Sequence, residues 1–502
     1  MKNKSKKILR KKRVIAIYTK QMTKDIEIFL GKILKKKGFH VIFFIPRLNN
    51  IDKEMYQKEF FSSFNKIYYE PNEKEALKLE INSSRVLSEI TELEKKYNIS
   101  MYRLYFVHRI VGSGYWASGG IKQQRHKIRE KSNHIDVMKI ALTYTKFWEN
   151  IFNTNNVFLA INLPNHAHII AKKKGIISER VQGARFGNTQ FWSQDLYLQP
   201  EDLGETFDTL KGNFAPIKIS SPYPSHITFR KKHINAFRLF DTFKKSFYSL
   251  AQVLIAKLRG FEKAKNQYLI DEFLIRWRIR REFLKLKKMV SFNLKNSNKI
   301  KYVFFPLQTE PEIAVHGIAQ DFFFQLSAIN LISRDLPADY FLVVKEHLYA
   351  IGRRPADFYK QIKSLKNVLI ADPTEYGLEY VKRASAVASI TGTSAWEAAA
   401  MGLPVITFSK NNAFNFLNHV FYIKEPDSTK NIIPKILNKS WPTKKSLKDG
   451  SKFYHAYFKS SFNIGENHDF ISWKSSKNKE NILRKSALLL LKKLFEKHNI
   501  DT

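Results

Sequence analysis

The stretch 386–408, AVASITGTSAWEAAAMGLPVITF, indicates the fold class of this chain. An apolar run over 386–390 leads through a turn at Gly392 into an alanine-rich helical segment, and a second apolar run follows at 404–408. A short apolar strand, a tight turn, a helix and another apolar strand are the parts of a β-α-β unit with parallel strands. We therefore expect this part of the chain to belong to an α/β domain.

The same alternation continues on the amino-terminal side of that stretch. Apolar runs predict strands over 302–306, 340–345 and 368–371. Five strands with intervening helices predict a doubly wound, Rossmann-like domain, which we place at residues 298–425. The helices expected in this domain cover 319–333, 355–365, 375–384 and 394–401.

Residues 1–225 have the same character. Continuous apolar runs predict strands over 14–19, 40–46 and 157–164, with helical patterns between them. This region is expected to form a second Rossmann-like domain. A bilobed α/β molecule follows from these two predictions, and its default ligand site is the cleft between the lobes.

Residues 226–297 interrupt the alternation with two long helical patterns. Residues 226–290 carry 17 Lys and Arg against 5 Asp and Glu. The spacing of the apolar residues predicts an amphipathic helix whose aromatic side chains pack in a core. These residues are Phe240, Phe243, Phe247, Leu250, Leu254 and Leu258. The remaining residues, 426–502, form an extension that ends in an amphipathic basic helix over 480–498.

The composition narrows the class of protein. The 502 residues include 86 Lys and Arg, 45 Asp and Glu and no Cys, with a formal charge of +41. The lack of Cys excludes a disulfide framework, a thiolate zinc site and a Cys nucleophile. The first 13 residues contribute +8 and residues 226–290 contribute +12. This distribution favours an anionic membrane surface as a partner, with no nucleic acid expected.

No apolar run reaches the roughly 20 residues that a membrane span requires. The apolar run behind the basic amino terminus is also shorter than the roughly 7–15 residues of a signal-peptide core. We therefore expect a cytoplasmic protein that lies peripherally on the inner face of the cytoplasmic membrane.

The turn after the strand at 386–390 opens a helix whose backbone N–H groups offer a site for an anion. Its residues are Thr391, Gly392, Thr393 and Ser394. Glu397 follows in the first turn of the helix, from which it could reach ligand hydroxyls. Ser394 and Glu397 also match the spacing of a capping box, so this pattern fits either interpretation.

Two further strand ends in the same domain carry charged groups. Lys345, Glu346 and His347 follow one strand, where Lys and His could hold a phosphate and its leaving-group charge. Glu310 and Glu312 follow another, where carboxylates could bind ligand hydroxyls or act as a base. Each pattern alone also fits a solvated loop, but three such loops at one sheet edge favour a ligand site.

The sequence lacks the common metal and phosphate motifs. It contains no Asp-x-Asp, no His-Glu-x-x-His and no Walker Gly-x-x-x-x-Gly-Lys. We therefore expect no metal site and no bound cofactor.

The runs FPLQTEPE, SRDLPADYFLVVKEHL and SITGTSAWEAAAMGLPVITF occur in this order over residues 302–408. They resemble PLHYQPE, KEHP and TGTxGWEAxxxGKPVI of the bacterial capsular polysaccharide biosynthesis glycosyltransferases, a Kdo-transferase-like family with the GT-B fold. The resemblance implies two Rossmann-like domains that face a cleft. It also implies metal-independent transfer of a sugar from a CMP- or UDP-linked donor to a growing capsule- or lipopolysaccharide-type glycan, free or lipid-linked.

Carried over residue by residue, the resemblance implies catalytic roles for Glu312, His347 and Glu397. Arg109 and Arg185 lie where the family places acceptor-side residues. Donor contacts are implied for Lys345, Glu346, Thr391, Gly392 and Thr393, and we expect them also for Glu310 and Ser394 from their places after the predicted strands.

The chain departs from the family wording at Gln308, which replaces a His, and at Leu348, which replaces a Pro. Two other interpretations stay open. One is a nucleotide-sugar epimerase with the same fold. The other is a non-catalytic basic protein that binds a membrane or nucleic acid through residues 226–290.

Overall fold

A computed structural model describes most of the chain as two β-sheets, each flanked by helices. The described residues are 13–19, 24–45, 64, 66–106, 108, 127–184, 189–219, 224–260, 265, 267–295, 300–309, 315, 317–320, 322, 324–355, 357–464 and 479–500.

The strands in chain order are β1 Val14–Tyr18, β2 His40–Ile45, β3 Lys66–Tyr69, β4 Val157–Ile161, β5 Ile177–Gly183, β6 Thr189–Ser193, β7 Lys301–Pro306, β8 Tyr340–Lys345, β9 Val368–Ile370, β10 Ala386–Ser389, β11 Val405–Thr407, β12 Val420–Tyr422 and β13 Phe462–Asn463.

The helices in chain order are α1 Lys24–Lys36, α2 Glu73–Leu77, α3 Ser83–Tyr97, α4 Met101–Leu104, α5 Lys127–Lys131, α6 His134–Thr154, α7 Asn165–Lys173, α8 Leu203–Thr209, α9 Pro224–Asn235, α10 Leu239–Leu258, α11 Leu269–Met289, α12 Gln325–Asp335, α13 Phe358–Ser364, α14 Gly377–Val381, α15 Thr393–Ala400, α16 Thr429–Leu437, α17 Lys444–Lys459 and α18 Lys479–Lys497. Among the helices that the structure describes, none is both long and apolar enough to cross a bilayer.

The first sheet has the strand order β13-β6-β5-β4-β1-β2-β3. Strands β1 to β5 are parallel, and β6 is antiparallel to both β5 and β13. Along β1, Ile15 and Ile17 pack with α1 and α18 on one face, whereas Ala16 packs with α3 and α6 on the other. Because side chains alternate between the faces of a strand, a sheet covered on both sides requires this continuous apolar run.

The second sheet has the order β12-β11-β10-β7-β8-β9, and all its strands are parallel. Numbered within the domain and counted from β9, this is the 3-2-1-4-5-6 order of the doubly wound dinucleotide-binding fold. The first sheet shares the 3-2-1-4-5 part of that order. The predicted α/β class with two Rossmann-like domains is therefore confirmed.

The carboxyl-terminal extension contributes to both sheets. Helix α17 crosses α15 so closely that a Cβ on Gly450 would lie 2.6 Å from the carbonyl oxygen of Ala399. The chain then pairs β13 with β6 and packs α18 against α1. Trp192 in β6 donates from Nε1 to the carbonyl oxygen of Leu490 at 2.9 Å, which fixes α18 on the first sheet.

Apolar periodicity does not predict β5, because its central residues are polar. Ser178, Glu179 and Arg180 are nevertheless buried. Ser178 meets His168 at 2.8 Å, and Glu179 meets His498 at 2.6 Å. Polar partners, rather than apolar contacts, therefore satisfy the interior of this strand.

Two expectations are wrong in detail. The strand predicted at 157–164 ends at Ile161, because Asn162 takes a left-handed φ of 61° and turns the chain. The apolar stripe predicted to pack in a core lies on α10 at the surface, with Phe240 76% and Leu258 80% exposed. The buried face of α10 is the one that carries Thr242 and Ser246.

Candidate functional site

The candidate site lies at the carboxyl edge of the second sheet. Strand β7 runs between β8 and β10, so the loops that follow these three strands emerge side by side. The strand order reverses between β7 and β10, and ligands of open α/β sheets bind at such a reversal.

Gln308 joins the loop after β7 to the loop after β10. Its Nε2 donates to Oγ1 of Thr391 at 2.8 Å, and its Oε1 accepts from the backbone N–H of Thr391 at 3.1 Å. Gln325 at the start of α12 holds the backbone of Gln308 in turn, accepting from its N–H at 2.6 Å and donating to its carbonyl at 3.0 Å. The residue that replaces the family His thus fixes the spacing of two loops.

Glu346 organises the loop after β8. Its carboxylate accepts from Nε and Nη2 of Arg354 at 2.8 and 2.9 Å, from the Tyr359 hydroxyl at 2.7 Å and from the His347 backbone N–H at 2.7 Å. Both carboxylate oxygens are therefore occupied, and Glu346 and Arg354 are both buried. Glu346 therefore holds its loop in place from within the protein, and its expected donor contact stays a prediction.

Arg354 also connects this loop to the first one. Its Nη2 donates to the carbonyl oxygen of Gln308 at 2.5 Å. The loops after β7, β8 and β10 are therefore cross-linked through Gln308, Arg354 and Thr391 before any ligand binds. A site arranged in advance loses less conformational freedom when it takes up a ligand.

His347 is exposed at this edge. Its Nδ1 accepts from the Tyr349 backbone N–H at 3.3 Å, so the neutral ring carries its proton on Nε2. Neighbouring protein that shields the ring from water lowers the pKa of His347 below its ordinary value; the charges of Lys345 and Arg354 add to this change, and Glu346 opposes it. At neutral pH the ring is therefore an uncharged hydrogen-bond donor.

Lys345 supplies the cation of the edge. Its Nζ donates to the carbonyl oxygen of Pro373 at 3.2 Å. The pKa of this amine is lowered to about 8, chiefly by burial with a smaller contribution from Arg230, while nearby acidic groups oppose the change. A phosphate placed here would favour the charged form of Lys345.

The loop after β10 ends in the amino terminus of α15. Gly392 is the N-cap residue, and no described side chain caps the helix, so Ser394 and Glu397 do not form a capping box. The Gly392 N–H donates to Oγ of Ser389 at 2.9 Å. A Cβ on Gly392 would lie 2.8 Å from that oxygen, which is why glycine is required in this turn. Glu397 lies in the second turn of α15, half-buried.

A fourth loop, after β11, joins the same edge. Asn412 donates from Nδ2 to the carbonyl oxygen of Ile390 at 3.0 Å, beside the turn that starts α15. Ser409 and Asn411 both donate to the carbonyl oxygen of Ile318, at 3.1 and 2.7 Å. The edge is therefore polar over four neighbouring loops.

Helix α9 of the basic segment packs beside this edge. Arg230 donates to the carbonyl oxygen of Thr374, and its guanidinium lies 4.1 Å from the ring centre of Tyr376. His233 lies 6.0 Å, ring centre to ring centre, from Tyr349. The basic helical segment thus begins next to the loop that carries His347.

The first sheet carries a buried acid–imidazole pair at its own carboxyl edge. Glu70 follows β3 and accepts from the Tyr18 hydroxyl at 2.8 Å, from Trp148 Nε1 at 2.9 Å and from His166 Nε2 at 3.1 Å. Although burial by itself raises the pKa of Glu70, the bonds from His166, Trp148 and Tyr18 hold it below its ordinary value. Tyr105 stacks on the His166 ring, with centres 5.0 Å apart.

His166 donates from Nε2 to Glu70, because an ionised carboxylate only accepts hydrogen bonds. Nδ1 of His166 makes no hydrogen bond to any described residue. His168, by contrast, uses both nitrogens, toward Ser178 Oγ and the Gln194 carbonyl, which marks it as structural.

Four predicted site residues lie outside the described residues: Glu310, Glu312, Arg109 and Arg185. The structure brings together the other members of the predicted donor site, Lys345, His347, Thr391, Gly392, Thr393, Ser394 and Glu397, at one sheet edge. Within the described part of the chain, no group of three or more His, Asp or Glu side chains is placed to hold a metal ion.

Sequence reasoning missed the residues that hold these loops together. Arg354 and Gln325 lie in segments without a recognisable motif, and only the fold brings them to the edge. Glu70 follows β3, a short strand that no apolar run in the sequence predicts. Asn412 had a usable signal, because it follows the apolar run 404–408 in a polar stretch.

No protein-family profile matches this chain, and no curated protein matches it in sequence. Among solved structures, a beta-Kdo 2,7 transferase from Thermosulfurimonas dismutans is 12% identical, covering 82% of this chain and 89% of that one with a TM-score of 0.30. The UDP-GlcNAc 2-epimerase of Neisseria meningitidis bound to UDP-GlcNAc is 10% identical, covering 96% and 100% with a TM-score of 0.28. The UDP-GlcNAc 2-epimerase of Methanocaldococcus jannaschii is 13% identical, covering 88% and 97% with a TM-score of 0.26.

Both transferases and epimerases are thus found among these structures. The two Rossmann-like sheets of this chain are defined by its own strand order.

Proposed function

We propose that this protein transfers a sugar from a nucleotide-sugar to a growing surface glycan, such as a capsule or lipopolysaccharide chain. The observation that supports the proposal is the cross-linked edge of the second sheet. There, hydrogen bonds of Gln308 and Arg354 fix the loops after β7, β8 and β10 relative to one another, at the point where the strand order reverses. The motif resemblance over residues 302–408 falls on the same loops.

The edge suits a leaving nucleotide phosphate. Lys345 provides a cation, His347 provides an exposed N–H donor, and α15 directs its amino terminus toward the same loops. A cation, a neutral donor and a helix amino terminus stabilise the charge that develops when the sugar–phosphate bond breaks. In this proposal none of these contributions needs a metal ion.

Carboxylates would orient the sugar of the donor. Glu397 lies one turn beyond the amino terminus of α15 and is the proposed contact to the sugar hydroxyls. Glu310 and Glu312 would serve from the loop after β7, and Arg109 and Arg185 would contact the acceptor. These four roles follow from the motif resemblance.

The first sheet supplies the proposed base. His166, oriented by Glu70, would in its neutral form accept at Nδ1 the proton of the acceptor hydroxyl as the hydroxyl oxygen bonds to the anomeric carbon. The sugar–phosphate bond then breaks, and the nucleotide leaves with both bonding electrons. Glu70 would act through His166 as a positioning residue that stabilises the imidazolium.

The test is incubation of the full chain with a panel of CMP- and UDP-sugars. We expect one donor to raise the melting temperature and to release its nucleotide slowly in water. His347→Ala and Glu397→Ala should abolish both effects, whereas the matched control His455→Ala, an exposed histidine on α17, should keep them.

Product analysis separates the competing interpretations. Epimerisation of the sugar without nucleotide release would assign the chain to the epimerase class instead. If no donor produces stabilisation or turnover, the transferase proposal is wrong.

A further inference from the structure

Helix α10 exposes an unusual amount of apolar surface. Phe240 is 76%, Phe243 51% and Leu258 80% exposed. Of the 20 large apolar side chains exposed among the described residues, 12 lie on α9, α10 and α11. They are Ile227, Leu239, Phe240, Phe243, Phe247, Tyr248, Leu254, Ile255, Leu258, Ile270, Leu274 and Leu284.

The exposed residues of α10 form one continuous face. At about 100° per residue, its eight exposed apolar positions fall within roughly half of the helix circumference. The opposite face carries the small polar residues Thr242 and Ser246, which are buried, and α10 packs along α11. The helix therefore buries its small side and leaves most of its apolar side exposed, although Phe243 and Phe247 also contact Trp277 and Phe273 of α11.

Cations lie within and beside this face, with Lys244 between its apolar positions and Arg259 at its edge. Lys244 and Arg259 are exposed on α10 and at its end, and Arg276 and Arg281 are exposed on α11. Residues 226–290 as a whole carry 17 basic and 5 acidic residues. A large apolar face bordered by cations is the pattern of helices that lie in the interface of an anionic bilayer.

We propose that α10, supported by α11, docks the protein on an anionic lipid surface. The helix would lie parallel to the bilayer, with Phe240, Phe243 and Leu258 among the acyl chains and the cations at the headgroups. A second copy of this chain is a poorer occupant, because it would bring the same positive charge to the contact. Nucleic acid would satisfy the cations but leave the apolar face in water.

Docking would place the donor edge close to the bilayer. Helix α9 precedes α10 directly, and its Arg230 and His233 lie against the loops that follow β8 and β9. A lipid-linked glycan acceptor would then meet the site at the surface that holds it. The docking itself does not depend on sugar transfer, so either proposal can fail without the other.

The test is flotation of the full chain with two kinds of vesicle, pure phosphatidylcholine and a mixture of phosphatidylcholine with phosphatidylglycerol. We expect binding to the mixed vesicles, weakened by salt, and little binding to the neutral ones. The triple variant Phe240→Ser/Leu254→Ser/Leu258→Ser should lose roughly tenfold or more of the bound fraction. The control Leu79→Ser/Leu87→Ser/Leu488→Ser removes exposed leucines elsewhere and should bind like the wild type.

Three results would overturn the proposal. They are equal binding to both vesicles, equal loss in both triple variants, and a dimer in solution that the α10 variant converts to a monomer. The melting temperature with and without the donor is measured on the same samples. Vesicle binding without a donor effect would contradict sugar transfer alone, and a donor effect without vesicle binding would contradict docking alone.

Discussion

In the second sheet, side chains reach from loop to loop across the carboxyl edge, whereas the first sheet carries at its carboxyl edge one buried carboxylate that three side chains contact. Gln308 and Arg354 make the first arrangement, and Glu70 with His166 makes the second. The two sheets share most of their strand order. Strand order therefore sets where a site can form, and the side chains at the strand ends set its chemistry.

The difference also suggests that the two sheets have different roles in the proposed reaction. A braced edge with Lys345 and His347 suits the holding of a charged leaving group, which must be kept in place. A single imidazole with an open nitrogen suits the transfer of one proton. Substitutions in the two sheets test these two roles separately.

Arg354→Ala should weaken the second sheet most. It leaves Glu346 buried without its cation, so we expect the free energy of unfolding to fall by about 3–5 kcal/mol. Lys360→Ala, which removes one partner of an exposed pair on the neighbouring helix, should cost less than about 1 kcal/mol.

Chemical denaturation of both variants measures this contrast. The double variant Glu346→Gln/Arg354→Met should recover part of the loss, because no uncompensated charge remains. Equal losses in Arg354→Ala and Lys360→Ala would contradict the view that this buried pair braces the edge.

His166→Gln should affect transfer and leave donor binding intact. Loss of a general base lowers the rate about a hundredfold or more, while the donor loops lie on the other sheet. Glu70→Gln should lower the rate less and alter its pH profile, because the glutamine keeps the shape but not the charge. Steady-state kinetics and donor titration measure the two effects separately, and a parallel loss of donor affinity would show that the first sheet also holds the donor.

Gln308→Ala should affect donor binding rather than the proton transfer assigned to His166. It removes both hydrogen bonds to Thr391, which should cost about 1–3 kcal/mol in stability and weaken donor binding. Asn330→Ala removes an exposed hydrogen bond on α12 and serves as the control. If donor affinity in Gln308→Ala equals that of the wild type, the braced loops are not the donor site.

Lys345 predicts a smaller, pH-dependent effect. Its pKa is lowered by burial from 10.5 to about 8, with Arg230 adding to the shift and Glu346, Asp372 and Glu375 opposing it. Between about pH 8 and pH 10.5 the unfolded chain binds a proton that the folded chain has lost, so this residue makes the free energy of unfolding rise with pH.

Donor affinity should change in the other direction, falling as pH rises through about 8 and the amine loses its charge. Denaturation and titration across this window, compared with Lys345→Met, isolate both slopes. Lys382→Met, an exposed lysine after α14, is the control. Identical slopes in wild type and Lys345→Met would show that this amine is already charged or neutral throughout.

The sequence predicted the parts of the fold that depend on local patterns. The apolar runs at β1, β8 and β10 marked strands because both of their faces are buried. It did not predict β5, because Glu179 in that strand is satisfied by His498 from the far end of the chain. Long-range polar pairing leaves no periodic signal in either segment.

The candidate site was predicted to a similar extent. Loop residues such as His347 and Thr391 follow recognisable strands, and parallel strands end at the same edge. Their supports, Arg354 and Gln325, were beyond reach because their contacts depend on how helices return to the sheet. The exposed face of α10 was misjudged, because apolar periodicity shows that a helix has an apolar side but not what that side meets.

Hydrogen exchange with and without the preferred CMP- or UDP-sugar tests directly whether the cross-linked edge of the second sheet holds the donor. If the braced edge holds the donor, added donor should protect the peptides over 307–309, 345–349 and 390–395 and leave the peptide at Glu70 unchanged. Protection confined to the first sheet, or no protection at these loops at saturating donor, would contradict the account.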